Sequence, residues 1–287
     1  MSTRLFDKGR EGIADSINWL TDSFKAIQLQ LDGTLTGNAV KAITAATNAT
    51  PVVITSTAHG YANGDVLVIR GVLGNTAANG TFVASGVTSN TINLTTVADG
   101  LSVVGNGAYT SGGCVINLGT IGVNLSDINP ARVSSDSAAF TSTTDALGVL
   151  NAANVSFAAV TGTVHGVAVY KDTGVASTSR LVFFLDGRTL LTAAADALIS
   201  ATVLWVDKLE GPIASGTAIL LSNGVTATLS APAAAGARSL TVTALSAAVA
   251  AGHQGEAQTT GSGLPITLSS GAYTVQWDTG TNKIVKI

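Results

Sequence analysis

The sequence has little cysteine and little charge. Among its 287 residues, Cys114 is the single cysteine and only 11% are charged. One cysteine excludes an intrachain disulfide and a zinc site built from several cysteines. Sparse charge without a Lys or Arg cluster argues against binding to nucleic-acid phosphates or to an anionic membrane surface, because both need grouped cations. We therefore expect neither nucleic acid nor membrane as a partner.

The sequence also lacks a long uninterrupted apolar segment. Its first 16 residues, MSTRLFDKGREGIADS, are charged and contain no apolar core of a signal peptide, so secretion by that route is not expected. The Ala-rich run 231–252 is interrupted by Pro232, Gly236 and Arg238. That run does not predict a membrane-spanning helix.

Small and β-branched residues are abundant instead, and 46% of the chain is hydrophobic. Such a composition predicts a folded, mainly β protein. Near the start, apolar residues at three- to four-residue spacing predict a short N-terminal helix: Leu5, Phe6, Ile13 and Ile17. After it, Ile27, Leu29 and Leu31 alternate with polar residues and predict a half-buried strand, and 33–46 reads as a linker.

Strand and turn patterns fill the remainder of the chain. The runs VHGVAVYK (164–171) and RLVFFL (180–185) are continuously apolar in their centres, as in strands covered on both faces. At the end, Tyr273, Val275 and Trp277 alternate with polar residues, and the turn DTGTN precedes a last apolar segment. This pattern predicts a closing hairpin.

An internal repeat lies between residues 203 and 252. Five positions recur at a constant offset of 36 residues, which predicts a duplicated strand-turn unit. The first copy contributes Val203, Val206, Leu209, Ile213 and Gly216, and the second contributes Ser239, Val242, Leu245, Val249 and Gly252.

The stretch ATPVVITSTAHGYANGDVLVIRGV contains the most suggestive pair of chemical groups, His59 and Asp65. A catalytic pair needs a nucleophile or metal beside it, and no Gly-x-Ser-x-Gly elbow or second histidine is near. His165 and His253 are too isolated for metal-binding spacing. The acidic residues that a glycan-cleaving enzyme could use fall at turns and in loops: Asp65, Asp99, Asp186 and Glu210. We expect no catalytic, cofactor-binding or metal-binding residue and no enzyme.

Four blocks of sequence resemble a family of small virion structural proteins of tailed bacteriophages. They are LFDKGREGIADSINWLTDSFKAIQLQLDG, LSDINPARVSSDSAAFTS, VSFAAVTGTVHGVAVYKDTGVASTSRLVFFLD and LPITLSSGAYTVQWDTGTNKIVKI, within residues 4–33, 125–186 and 264–287. In that family the blocks follow one another closely. The resemblance therefore implies one β-sandwich-like base domain that carries two small inserted β modules.

The inserts have resemblances of their own. The first is similar to the FCCH-type modules that phage fibres and tail proteins share with ubiquitin-activating enzymes, and the second resembles modules of phage head and decoration proteins. The implied divisions are base domain 1–37, 115–191 and 263–287, first insert 38–114, and second insert 192–262.

The resemblance implies a virion protein made in the bacterial host cytoplasm. The leading hypothesis is a capsid decoration or head-fibre protein that binds the major capsid protein or other virion proteins as a homo-oligomer, with a trimer favoured by symmetry. The alternative is a minor tail, collar or fibre protein that contributes to host attachment, with a host surface glycan as partner. In that case an exposed aromatic on an insert, Tyr61, Tyr109 or Trp205, could stack on a sugar.

Overall fold

The computed structural model describes residues 3–5, 17–119, 121, 124–146, 149–260, 263–277 and 285–286. Strands dominate these residues, and the α-helix among them, α1, has four residues (Leu125–Ile128) beside two short 3-10 turns, η1 (Thr76–Ala78) and η2 (Asn129–Ala131). The prediction of a mainly β fold is confirmed.

The strands share an antiparallel pairing throughout. In chain order they are β1 (Thr3–Leu5), β2 (Phe24–Leu29), β3 (Val40–Ala42), β4 (Ala45–Ala46), β5 (Val53–Thr55), β6 (Val66–Arg70), β7 (Gly80–Ser85), β8 (Thr91–Thr96), β9 (Cys114–Asn117), β10 (Thr144–Ala146), β11 (Val149–Asn151), β12 (Val155–Val164), β13 (Gly166–Lys171), β14 (Leu181–Leu185), β15 (Arg188–Thr192), β16 (Val203–Trp205), β17 (Ala218–Leu220), β18 (Thr226–Thr228), β19 (Ser239–Thr241), β20 (Gln254–Gln258), β21 (Ile266–Val275) and β22 (Val285–Lys286).

A four-stranded sheet of order β1-β14-β13-β2 forms the centre of the predicted base domain. Both faces of β13 and β14 are buried, as their apolar runs predict. The prediction of a half-buried β2 is wrong, because Gln28 and Ala26 on its second face are also fully buried. The alternation of polar and apolar residues in β2 therefore reflects two different cores and no solvent-facing side.

The beginning of the chain differs from its prediction. Arg4 and Leu5 belong to β1, which pairs with β14 so that Arg4 lies opposite Phe184. The pairing partner overrides the helical spacing at these residues, because β14 has a free edge to fill. Ile17 is also not helical, and the rest of the predicted N-terminal helix, with its charged stretch 7–11, lies outside the described residues.

The two faces of the central sheet pack against different layers. One face contributes Phe24 and Val169 to a core that the long β12–β21 pair closes with Phe157 and Val275. The other face contributes a second set of side chains to a separate core: Ile27, Leu29, Ala168, Tyr170, Leu181 and Phe184. That core is closed by Val68 and its neighbours from the first insert.

The first insert, together with residues 115–117 at the end of β9, forms a seven-stranded sheet of order β3-β9-β6-β7-β8-β5-β4. Its two outermost strands are consecutive in the chain, because β3 pairs with β9 while β4 pairs with β5. Ala39 and Val40 are fully buried, so the prediction of a featureless linker over 33–46 is wrong for its second half. Base domain and first insert share a core, and the domain limits at 37 and 114 stay predictions.

The second insert is built with an internal two-fold pattern. The strands β16 and β19 are the same segment of the two repeat copies and pair with each other, so that Leu204 lies opposite Leu240. The backbone bonds come in matched pairs: Val206 N donates to Arg238 O and Val242 N to Thr202 O. The donor and the acceptor of the second bond each lie 36 positions in sequence from the corresponding residue of the first bond. Each repeat copy therefore supplies the strand that pairs with the equivalent strand of the other copy.

The last two described strands of the base domain, β21 and β22, pair with other strands than predicted. Tyr273, Val275 and Trp277 are buried on one face, as predicted. However, β21 pairs along its length with β12, and β22 pairs with β11. A closing hairpin between β21 and β22 is therefore wrong for the described residues, because ten-residue β21 finds a partner of equal length in β12.

Candidate functional site

The His59–Asp65 pair is held by structural hydrogen bonds. His59 Nδ1 accepts from the backbone N of its neighbour Tyr61 at 3.0 Å, while Asp65 Oδ2 accepts from Ala62 N at 2.9 Å and from Asn117 Nδ2 at 2.6 Å. Both residues are almost completely buried. The carboxylate closes the turn before β6, so the pair serves local folding.

The other single candidates also have structural partners. His165 Nδ1 accepts from Leu31 N at 3.0 Å, which ties the start of β13 to the end of β2. Asp99 Oδ1 accepts from the Thr96 hydroxyl at 2.6 Å in the turn after β8. Cys114 is a buried free thiol, and burial raises its pKa to about 12.

Sequence reasoning missed one pair of groups, Ser222 and His253. Ser222 Oγ and His253 Nδ1 lie 3.0 Å apart, although 31 residues separate them. Ser222 Oγ also accepts from Gln254 N at 3.2 Å, and the Ser222 carbonyl accepts from Val104 N of the first insert at 2.8 Å. The serine is therefore fixed at the contact between the two inserts. No motif in the sequence indicates this pair, because each residue alone resembles an ordinary turn residue.

The three predicted units meet at one buried guanidinium. Arg70 ends β6 of the first insert, and its side chain is only 6% exposed. Arg70 Nε donates to Asp186 Oδ2 at 3.1 Å, Nη2 contacts the same carboxylate, and Nη2 lies 2.7 Å from Glu256 Oε2. Asp186 follows β14 of the base domain, and Glu256 lies in β20 of the second insert. A single cation therefore joins carboxylates from the two other units.

A second contact between the inserts is polar and buried. The Gln254 side chain, 3% exposed as a residue, donates through Nε2 to Thr81 O at 2.6 Å and accepts through Oε1 from Val97 N at 2.7 Å. Its side-chain amide thus pairs with one backbone acceptor and one backbone donor of the first insert. Such a satisfied buried amide fixes how the two inserts meet, because any shift would leave buried polar groups unpaired.

Four of the eight large exposed hydrophobic side chains in the described residues lie within eight positions of the second insert. We call them the first-copy patch: Leu198, Ile199, Val203 and Trp205, with exposed fractions of 75%, 64%, 41% and 55%. Tyr61 and Tyr109 do not join them, because Tyr61 is buried and Tyr109 donates its hydroxyl to Ile43 O at 3.0 Å. Trp205 is thus the exposed aromatic among the three predicted candidates.

The second repeat copy provides an internal comparison. The positions equivalent to the patch in that copy are Ala234, Ala235, Ser239 and Thr241, and all four are exposed as well. The backbone is the same, since Ala201 N donates to Leu198 O just as Ala237 N donates to Ala234 O. The fold therefore does not require large apolar side chains at these positions, and an apolar patch on only one copy favours a role in binding.

No protein-family model matches the sequence, and no curated protein matches it significantly. Among the described residues, no helix has the length and hydrophobicity needed to cross a membrane. The described part of the chain also contains no group of three or more His, Cys, Asp or Glu side chains arranged to hold a metal ion.

We predict that Arg70→Met lowers the free energy of unfolding by about 3–5 kcal/mol, because it removes the cation that pairs with two buried carboxylates. Lys171→Met serves as the control, since Lys171 pairs with Asp22 at 2.8 Å where both side chains are partly exposed, and its loss should cost less than about 1 kcal/mol. Urea unfolding followed by circular dichroism measures both. Combining Arg70→Met with Asp186→Asn and Glu256→Gln should recover part of the loss. An equal loss of unfolding free energy for Arg70→Met and Lys171→Met would contradict a stabilising role for the buried Arg70 ion pairs.

We further predict that acidification destabilises the fold through His59 and His165. Burial lowers the pKa of both imidazoles, and each Nδ1 already accepts a backbone N–H that protonation would break. Because the folded pKa lies below the unfolded value of about 6.5, the unfolded chain binds more protons, and stability falls as pH drops below about 6.5. Urea midpoints across about pH 7.5 to 5 should show a shallower decline for the His59→Gln, His165→Gln double variant. Parallel curves for the variant and the natural chain would rule out this origin.

Proposed function

We propose that this protein is a structural component of a tailed-bacteriophage virion, most specifically a capsid decoration or head-fibre protein that binds the assembled head. The resemblance of its four base-domain blocks to small virion proteins supports this role. The observation that carries the proposal in three dimensions is the first-copy patch, four large exposed apolar side chains whose equivalents in the second copy are small or polar.

The patch has the character of a docking surface. Removing a large apolar side chain from water contributes about 1.5–3 kcal/mol, so burial of Trp205, Leu198 and Ile199 against a partner would stabilise the complex by several kcal/mol. Tryptophan is also the residue type most often responsible for a large share of an interface's binding energy. The proposed occupant is a virion protein of the assembled head, since binding only the assembled state shifts the equilibrium towards assembly.

The connection between the units supports a mechanical role. Arg70 and Gln254 attach the second insert to the first by buried polar contacts, and a shared core attaches the first insert to the base domain. A force or a docking contact at the patch is therefore transmitted through packed β layers to the base domain. A reinforcing protein that bridges neighbours in a shell requires such connections.

The exposed Trp205 favours a second candidate function. An indole on a small β module can stack on a sugar ring, which suits a minor tail, collar or fibre protein that contacts the host surface. Copy number separates the two candidates. Quantitative mass spectrometry of purified particles should find on the order of hundreds of copies for a decoration protein that follows shell symmetry, and at most a few dozen for a tail component.

We predict that transferring the second copy's residues into the first abolishes head binding while preserving the fold. The variant combines Leu198→Ala, Ile199→Ala, Val203→Ser and Trp205→Thr, which reproduces a surface that the same backbone already carries. Losing the indole alone should cost about 2 kcal/mol of binding free energy, or roughly 30-fold in affinity. The measurement is co-sedimentation of the full chain with heads purified from particles that lack it.

Leu73→Ala is the matched control, because the exposed fraction of Leu73, 56%, is close to the 55% of Trp205, and Leu73 belongs to the first insert and not to the repeat. It should leave co-sedimentation unchanged. If the four-residue variant binds heads fully, or if Leu73→Ala loses as much binding as that variant, the first-copy patch is not the docking surface.

A further inference from the structure

The outward face of the β12–β21 pair carries no charge. The inward side chains of the two strands, Phe157 and Val275 among them, are buried in the core that they share with the central sheet. The opposite side chains are exposed, small and neutral, and we call them the hydroxyl face: Ser156, Ala158, Thr161, Thr267, Ala272 and Thr274. The stretches 151–164 and 263–277, which contain both strands, have no Asp, Glu, Lys or Arg. This surface therefore lacks the charged side chains that keep exposed strands apart in most soluble proteins.

The face of this strand pair, and not its edges, is the surface open to a partner. Two register shifts interrupt the pairing between Phe157 and Gly162. Bulges of this kind bend a strand and hinder edge-to-edge pairing with another chain. The side chains of the hydroxyl face are no longer than a threonine, so a second β surface can approach it closely.

Hydroxyl groups make this face complementary to its own copy. Across the strand pair, Ser156 Oγ lies 2.9 Å from Thr274 Oγ1, and Thr163 Oγ1 lies 2.8 Å from Thr267 Oγ1. In each couple one hydroxyl donates to the other, so the second hydroxyl has a hydrogen to donate and both oxygens keep a lone pair. A face of carboxylates or ammonium groups repels its copy, whereas these hydroxyls offer that copy both donors and acceptors. A charged partner would instead lose its solvation without gaining an ion pair.

We propose that the hydroxyl face packs against the hydroxyl face of a second copy of this chain. Such a contact uses the same surface on both copies and gives a two-fold dimer, whereas the trimer expected from symmetry would need a further, heterologous surface. The contact involves no residue of the first-copy patch, and the proposal does not rest on the proposed function.

The size of the face sets the strength of the contact. Both strands have ten residues, so the pair is about 33 Å long and about 10 Å wide and covers on the order of 300 Å² of each copy. Two such faces bury less area than a stable protein interface of standard size. We therefore expect a weak dimer with a dissociation constant of order 100 μM.

Sedimentation equilibrium of the full chain over about 10–500 μM tests the proposal, and the mean mass should rise towards that of a dimer. Combining Ala158→Lys with Ala272→Lys places like charges on both faces and should raise the dissociation constant at least about tenfold, with an unchanged thermal unfolding midpoint. Combining Ala158→Glu with Ala272→Glu should do the same. An equal mixture of the Lys and Glu variants should associate again, because opposite charges then meet, and about 0.5 M NaCl should weaken this mixed dimer.

Two controls establish whether association comes from the hydroxyl face. Ala214→Lys combined with Ala244→Lys adds the same charge at exposed positions of the second insert and should leave the dimer intact. The four-residue patch variant should also dimerise as the natural chain does, which excludes contact through Trp205. The proposal is overturned if the natural chain stays monomeric, if the Lys variant on the hydroxyl face associates as the natural chain does, if mixing the Lys and Glu variants restores nothing, or if either control loses the dimer.

Discussion

The arrangement of the whole molecule depends on one buried cation. Arg70 reaches from the first insert between Asp186 of the base domain and Glu256 of the second insert, and all three side chains are removed from solvent. Taking these charges out of water is costly, and the contact persists because the end of β6, the residue after β14 and the middle of β20 place the groups within ion-pair distance. A buried ionic contact of this kind penalises every other arrangement of the three units more than it stabilises the observed one. Its contribution is to specify how the modules meet.

Predictions from the sequence were most accurate for burial patterns that depend on a single strand. The apolar runs of β13 and β14 indicated two covered faces, and the alternation at Tyr273, Val275 and Trp277 indicated one buried face, because these patterns follow directly from strand geometry. The spacing of the repeat likewise located equivalent positions correctly. It could not show that the two copies pair with each other, which depends on register between segments 36 residues apart.

Prediction failed where a distant partner decides the outcome. Gln28 looks solvent-facing from its neighbours in β2, yet the Ser134 side chain binds its amide inside the core. The ion pairs of Arg70 with Asp186 and Glu256 could not be predicted from the sequence. Arg70 and Asp186 are 116 residues apart, and each residue alone resembles a charged residue at a turn or a strand end. The first-copy patch was predictable only in part: the sequence singled out Trp205 as an aromatic on an insert, but only the structure shows that its side chain, like that of the equivalent Thr241, is exposed. Duplication of the module thus allows two copies with equivalent backbone positions to differ in the side chains they expose.

A density map of the intact phage particle, at a resolution that separates β layers, tests the virion role most directly. The structure and the proposed function together predict three joined β bodies attached to the head, with Trp205 of the second insert buried against a neighbouring virion protein. Particles whose maps and mass spectra contain none of this chain, or in which it is present with Trp205 facing solvent, would contradict that role.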